Sequence, residues 1–251
     1  MSHFPQGTIL HINASMKNIK AHLVVAGCLL ATCGSLSAAA VLPFTETFSS
    51  NNSNWTQNVS ATAANWISSG GAGGSGGYIT TTYSVTNTTS GTPVVARATG
   101  SNSASGGQFI GDYSEIDTIT VSVKSNATFD LPIALRLGGA VPGTAITING
   151  GILPAGADWT TFTFNLTANN FISYEGTPGA DNAAKFANAT SNVANLQLFF
   201  YLGAAGYTPP STTTPVTLSV DSVSLVPEPS ACVLSALGVV GLFCFRSRKQ
   251  A

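Results

Sequence analysis

The chain has 251 residues, only 8% of them charged, with a formal net charge of −1. All four cysteines (Cys28, Cys33, Cys232, Cys244) and all three histidines (His3, His11, His22) lie near its two ends. The long middle segment therefore excludes disulfides, thiol chemistry, Ser-His-Asp or Cys-His catalysis, and histidine-based zinc or copper sites.

Residues 1–15 match no targeting pattern and are read as an upstream extension. Met16-Lys17-Asn18-Ile19-Lys20 is a short positive segment, followed by an apolar stretch from Ala21 to Leu36 and then Ser37-Ala38-Ala39-Ala40. That is the layout of a secretory signal peptide, assigned to residues 16–40, with Met16 as the expected start and cleavage between Ala38 and Val41. Val25-Ala26-Gly27-Cys28 also matches a lipoprotein box. From Met16, however, it leaves only about five apolar residues before the cysteine, short of the roughly 7–15 of a signal core.

Residues 41–226 make one domain of ordinary size. Period-two alternation marks half-buried strands at Thr118–Lys124, Thr160–Thr167, Leu196–Phe200 and Val216–Leu225. Weaker candidates are Tyr78–Val85, Val94–Thr99, Leu131–Leu137 and Ala145–Asn149. Only Asp181 to Ala189 reads as helical. Short strands separated by Gly, Asn, Ser and Pro clusters predict an all-β, antiparallel β-sandwich.

The domain has four cations (Arg97, Lys124, Arg136, Lys185) against nine acids, a net of −5. Four dispersed cations cannot neutralise a run of phosphates, so nucleic acid is not an expected partner. Ser, Thr, Asn and Gly must solvate the surface, and their hydroxyl and amide groups suit the reading of sugar hydroxyls. Of the large aromatics, most are expected in the core. Trp159, just before a strand, reads as core. Trp66 and Tyr78 flank the loop Ser69 to Gly77 and are the candidate glycan platform. The acids Asp112, Glu115 and Asp117 cluster at a strand entry, which reads as a turn more readily than as a glycosidase carboxylate pair. Seven Asn-x-Ser/Thr sequons accompany an Asn-, Ser- and Thr-rich composition.

The tail, residues 227–251, opens with Pro227, Glu228 and Pro229. An apolar run from Ala231 to Phe245 follows, then Arg246, Arg248 and Lys249. As a helix the run would extend roughly 22 Å, short of the ~30 Å hydrocarbon core. The trailing cations hold their end in the cytoplasm. The expectation is a short transmembrane helix over residues 231–245.

This order of triplet, apolar run and cations resembles the PEP-CTERM sorting signal of Gram-negative bacteria that make exopolysaccharide. The resemblance covers about a tenth of the chain. It implies an exosortase-type processing enzyme as partner, transient inner-membrane anchoring through the tail, and a final place at the cell surface or in the extracellular matrix.

The middle domain resembles jelly-roll, galactose-binding-like domains, including many carbohydrate-binding modules. The likeness lies in Phe44-Thr45-Glu46-Thr47-Phe48, Asp158-Trp159 and Val220-Asp221-Ser222-Val223-Ser224-Leu225. It implies neighbouring first and last strands, and a structural calcium helped by Glu46 and Asp221. The expected function is a non-catalytic surface or exopolysaccharide-matrix protein that binds extracellular polysaccharide. Alternatives are a structural matrix protein without a specific ligand, or an Asp/Glu-dependent carbohydrate-active enzyme.

Overall fold

A computed structural model describes residues 42–57, 62–74, 76–85, 94–140, 144–175, 182–200 and 214–227. The expected signal helix at 16–40, Glu228, Pro229, the apolar segment 231–245 and the cations Arg246, Arg248 and Lys249 lie outside the described residues. Among the described residues, no helix is long and apolar enough to cross a membrane.

Thirteen strands appear among the described residues: β1 (Phe44–Glu46), β2 (Thr56–Gln57), β3 (Thr62–Ala63), β4 (Asn65–Ile67), β5 (Tyr78–Val85), β6 (Val94–Thr99), β7 (Ile116–Ser125), β8 (Leu131–Gly139), β9 (Ala145–Leu153), β10 (Thr160–Asn165), β11 (Phe171–Glu175), β12 (Val193–Phe200) and β13 (Thr214–Pro227). Among the described residues one α-helix, α1, spans Asn182–Thr190. The strands form two antiparallel sheets. The first runs β10-β7-β13-β5-β4, with β1 also paired to β13; the second runs β11-β9-β8-β12-β6-β2-β3. All eight strands read from the sequence are present. Five more, β1 to β4 and β11, have five residues or fewer, too short for alternation to stand out.

The alternation decides what faces inward. In the first sheet Ile119, Val121, Val123, Phe164, Leu218, Val220 and Val223 are buried. In the second, Ile133, Leu135, Leu137, Ile146, Leu196, Leu198 and Phe200 meet them from the other side. The sandwich therefore has one apolar interior between its sheets.

As the jelly-roll likeness implied, the first and last strands pair: Phe44 lies opposite Leu225, Thr45 opposite Ser224 and Glu46 opposite Val223. β13 also pairs with β5 over its first half and with β7 along most of its length. Its register slips between Val220 and Ser222, leaving Asp221 at a bulge. The strand ends at Pro227, opposite Ile116, so the first residue of the sorting triplet belongs to the folded sheet.

Two local devices close the sandwich near β1. Trp55 is fully buried, edge-on to Phe48 and Phe109 at 5.6 and 5.1 Å between ring centroids, and its indole N–H donates to Ser105 Oγ at 2.8 Å. Gly77 lets three elements meet. A Cβ there would lie 2.5 Å from Trp66 Nε1 and 2.7 Å from the Phe48 carbonyl oxygen. Any side chain would push that junction apart.

Candidate functional site

The outer face of the second sheet carries a polar row that runs straight across its strands. Thr56 lies opposite Arg97, Arg97 opposite Gln197, Gln197 opposite Arg136, and Arg136 opposite Thr147. Period two explains the arrangement: Ala96 and Ala98, Leu135 and Leu137, Leu196 and Leu198 point into the core, so the residues between them point out. Thr56, Thr147 and Gln197 are buried, while Arg97 and Arg136 are part-exposed. Burial, and then the neighbouring charge of Arg136, lower the Arg97 pKa from its usual value. The Arg97 guanidinium nonetheless stays charged at neutral pH.

The next row on the same face pairs Thr99 with Asn195 and Asn195 with Gly138. The Asn195 amide fills the space left by the missing side chain; a Cβ on Gly138 would lie 2.5 Å from its Nδ2. Asn195 Oδ1 is buried and has no hydrogen-bond partner. A buried acceptor left unmatched costs on the order of 1–3 kcal/mol. Sequence reading did not find this site. Its signal was two of four domain cations at the middle of otherwise apolar strands, but the register that aligns them is not visible locally.

The residues singled out from the sequence are placed differently. Trp66 and Tyr78 do not form one platform. Trp66 lies opposite the buried Ile79, packs against the core, and donates its indole N–H to the Phe48 carbonyl at 2.7 Å. Tyr78, one position along β5 from Ile79, turns to the outer face of the first sheet. There it meets Trp159 edge-on at 5.3 Å, with the Lys124 ammonium 5.2 Å from the Tyr78 ring centroid and 4.6 Å from that of Trp159. Trp159 thus corrects its reading as core: the Thr160–Val123 register points Thr160 inward, so the residue before it faces out. Its indole N–H reaches the Gly70 carbonyl at 3.3 Å and ties the glycine loop to the sheet. Lys124 covers both rings, a cation–π arrangement that occupies faces a sugar would need.

Glu46 and Asp221 come to one junction, where β1 ends beside β13. Glu46 Oε1 accepts the Phe48 N–H at 2.8 Å, and Asp221 Oδ1 accepts the Ala72 N–H at 2.8 Å. Glu46 stands opposite Val223, whose side chain is buried, whereas Asp221 feels Lys124 on the outer face. Carboxylate oxygens suit calcium in kind. In number these two acids leave most of its six to eight ligands to backbone carbonyls and water. Among the described residues, no three acids cluster as a metal-binding group. Asp112 Oδ1 accepts the Ser114 N–H at 2.8 Å, so Asp112 and Glu115 lie in the turn that leads into β7, and Asp117 is the second residue of that strand.

Burial pushes the Asp221 carboxyl above the usual carboxylate range, opposed by the Ala72 N–H and by Lys124. A group with a raised folded pKa binds its proton more tightly when folded. Its contribution to stability is present below the ordinary aspartate pKa and is lost as pH rises through the shifted one. Relative to Asp221→Asn, which keeps the acceptor for Ala72, the wild-type chain is expected to lose stability as pH climbs from about 4. Urea midpoints of both, measured in EDTA across that range, check this. A constant difference would remove Asp221 as the titrating group.

The tail matches the family model for the PEP-CTERM protein-sorting motif over residues 225–249. The chain therefore carries that sorting signal, and the match starts inside β13. No curated protein matches the chain. Among solved structures it is similar to CtCBM11, with 16% identity and a TM-score of 0.46, covering 77% of this chain and 98% of that one. The family 11 carbohydrate-binding module of the cellulosomal cellulase Lic26A-Cel5E of Clostridium thermocellum gives 12%, 0.45, and 74% and 95% coverage. The Clostridium thermocellum xylanase 10B, solved as CBM22-1 and GH10 modules with xylohexaose, gives 13% and 0.45; 75% of this chain covers 29% of the xylanase.

Proposed function

We propose that the sandwich is a non-catalytic polysaccharide-binding domain, exported and delivered by its sorting tail to the cell surface or extracellular matrix. The carrying observation is the row Thr56, Arg97, Gln197, Arg136 and Thr147 on one sheet face. Arg97 and Arg136 present part-exposed guanidinium donors on this face, with the amide of Gln197 and the hydroxyls of Thr56 and Thr147 buried beside them. The unmatched Asn195 Oδ1 beside it supports the same reading. The tail supports export, with an exosortase-type enzyme as the processing partner and the membrane as a temporary site. A calcium held by Glu46 and Asp221 belongs to this proposal as a structural ion at the β1–β13 junction, remote from the polar row in role.

Full-length protein in mild detergent, run through gels containing individual polysaccharides with calcium or with EDTA, tests the reading. Retardation by at least one polymer is expected, weakened by Gln197→Ala and by Asn195→Ala. Retardation by none, including the producing cell's own exopolysaccharide, would overturn it and leave a structural matrix protein. A melting temperature that rises when calcium replaces EDTA would support the ion. An unchanged one would show that the backbone bonds to Glu46 and Asp221 hold the junction alone.

A further inference from the structure

Asn149-Gly150 is the chain's single Asn-Gly pair, and it falls where β9 departs from regular pairing. Asn149 lies opposite Ala134 and Gly151 opposite Ile133, so Gly150 is an extra residue at a bulge, with no cross-strand partner in that register. On the other side of β9, pairing with β11 stops at Ile148, opposite Phe171. Asn149 follows Thr147 on the outer face of the second sheet and is exposed. Its side chain is folded back on the main chain, where Oδ1 accepts the Gly151 N–H at 3.0 Å. That bond closes a ring around the Gly150 peptide and keeps the Asn149 amide turned toward it. Gly151 takes a φ of 114°, which glycine adopts without strain. The Phe164 ring occupies the place of a Gly150 side chain, since a Cβ there would lie 2.7 Å from it. Packing therefore demands glycine after Asn149, the residue that hinders attack on the preceding side chain least.

We propose that Asn149 is a site of spontaneous covalent modification, with water as the only co-reactant, which the bulge leaves open in the folded chain. The deprotonated backbone nitrogen of Gly150 attacks Asn149 Cγ. An N–Cγ bond forms and the Cγ–Nδ2 bond breaks. Nδ2 leaves as ammonia, taking up the proton that the Gly150 nitrogen gave to solvent. Water then opens the five-membered imide at either carbonyl. One opening gives an aspartate; the other gives an isoaspartyl linkage, with Cβ carried in the main chain. The Gly151 N–H points at Oδ1, the oxygen that gains charge during attack, and so stabilises the tetrahedral intermediate. A regular ladder would hold the Gly150 nitrogen away from Cγ, and the bulge removes that restraint. Either product makes the domain one unit more negative than its −5. The new carboxylate stands on the face of the polar row, one row from Arg136 and Thr147. The reaction needs no ligand on that face and is independent of the polysaccharide reading.

Full-length protein in mild detergent, kept folded at mildly alkaline pH in heavy-oxygen water, tests this. Isoelectric focusing is expected to show a new acidic species that grows with time. Peptide mapping should place it at Asn149, with heavy oxygen taken up and both aspartyl and isoaspartyl forms present. Asn52 and Asn102, each followed by serine, should convert at least about tenfold more slowly. Asn149→Gln keeps an exposed amide but can close only a larger ring, and should abolish the acidic species. The same incubation in urea gives the rate of the unfolded chain. Conversion of the folded chain within about tenfold of that rate is expected. A folded chain that keeps Asn149 intact while the unfolded chain converts would overturn the proposal, because the sheet would then protect the peptide. Mapping of the new charge to another asparagine, or its persistence in Asn149→Gln, would overturn it too. So would an Asn149 that survives in both states. The folded and unfolded wild-type chains decide the matter even where the variant misfolds.

Discussion

Trp55→Ala is expected to cost about 3–5 kcal/mol of folding stability. Trp55 is fully buried at the meeting of the β1–β2 connection with the segment before β7. Three edge-to-face contacts run through this cluster: Phe48 to Trp55, Trp55 to Phe109, and Phe109 to Phe44 at 5.4 Å. Removing the indole empties the centre of that chain. It also leaves Ser105 Oγ without the N–H it receives at 2.8 Å. A domain of this size has about 5–15 kcal/mol to lose, so the variant should lie near or past the limit of folding. Trp55→Phe keeps a ring for Phe48 and Phe109 and loses the hydrogen bond and some volume; about 1–2 kcal/mol is expected. Urea unfolding followed by circular dichroism measures both. A loss below about 1 kcal/mol for the alanine variant would show that the neighbouring rings close over the site and that Trp55 is not its centre.

Replacing Pro227, Glu228 and Pro229 together by alanine is expected to stop processing of the tail almost completely. Expressed in a host with an exosortase, the variant should remain cell-associated at its unprocessed mass, while the wild-type chain is shortened. The fold should tolerate the change. Pro227 is the last residue of β13, opposite Ile116, and a proline at a strand end gives no N–H to the ladder for alanine to lose. An unaltered melting temperature would therefore separate loss of recognition from loss of structure. Processing at the wild-type rate would show that the triplet is not what the enzyme reads. The wild-type triplet begins on the last residue of β13, with no spacer between the sheet and the signal.

Much of this architecture was legible residue by residue. Alternation in Thr118–Lys124 or Val216–Leu225 marks strands because a half-buried strand must change face at every step, and that rule is local. The helix at Asn182–Thr190 was legible for a similar reason. The two- and three-residue strands were not, because they owe their conformation to partners rather than to their own pattern. Trp159 shows the limit within a readable region. Its strand was visible, but whether the residue before it faces the core depends on Val123 lying opposite Thr160. Trp66 and Tyr78 repeat the lesson, since eleven intervening residues bring them to the same pair of strands on opposite faces.

By itself, then, the sequence determined the sorting tail, the all-β class and the absence of histidine and cysteine chemistry from the middle domain. Those properties reside in contiguous residues or in composition. The polar row of Thr56, Arg97, Gln197, Arg136 and Thr147 draws on five strands spread over 142 residues of chain. Only strand order and register bring it together, because cross-strand neighbours are chosen by the packing of the whole sheet, and a slip of one residue would have turned both arginines into the core.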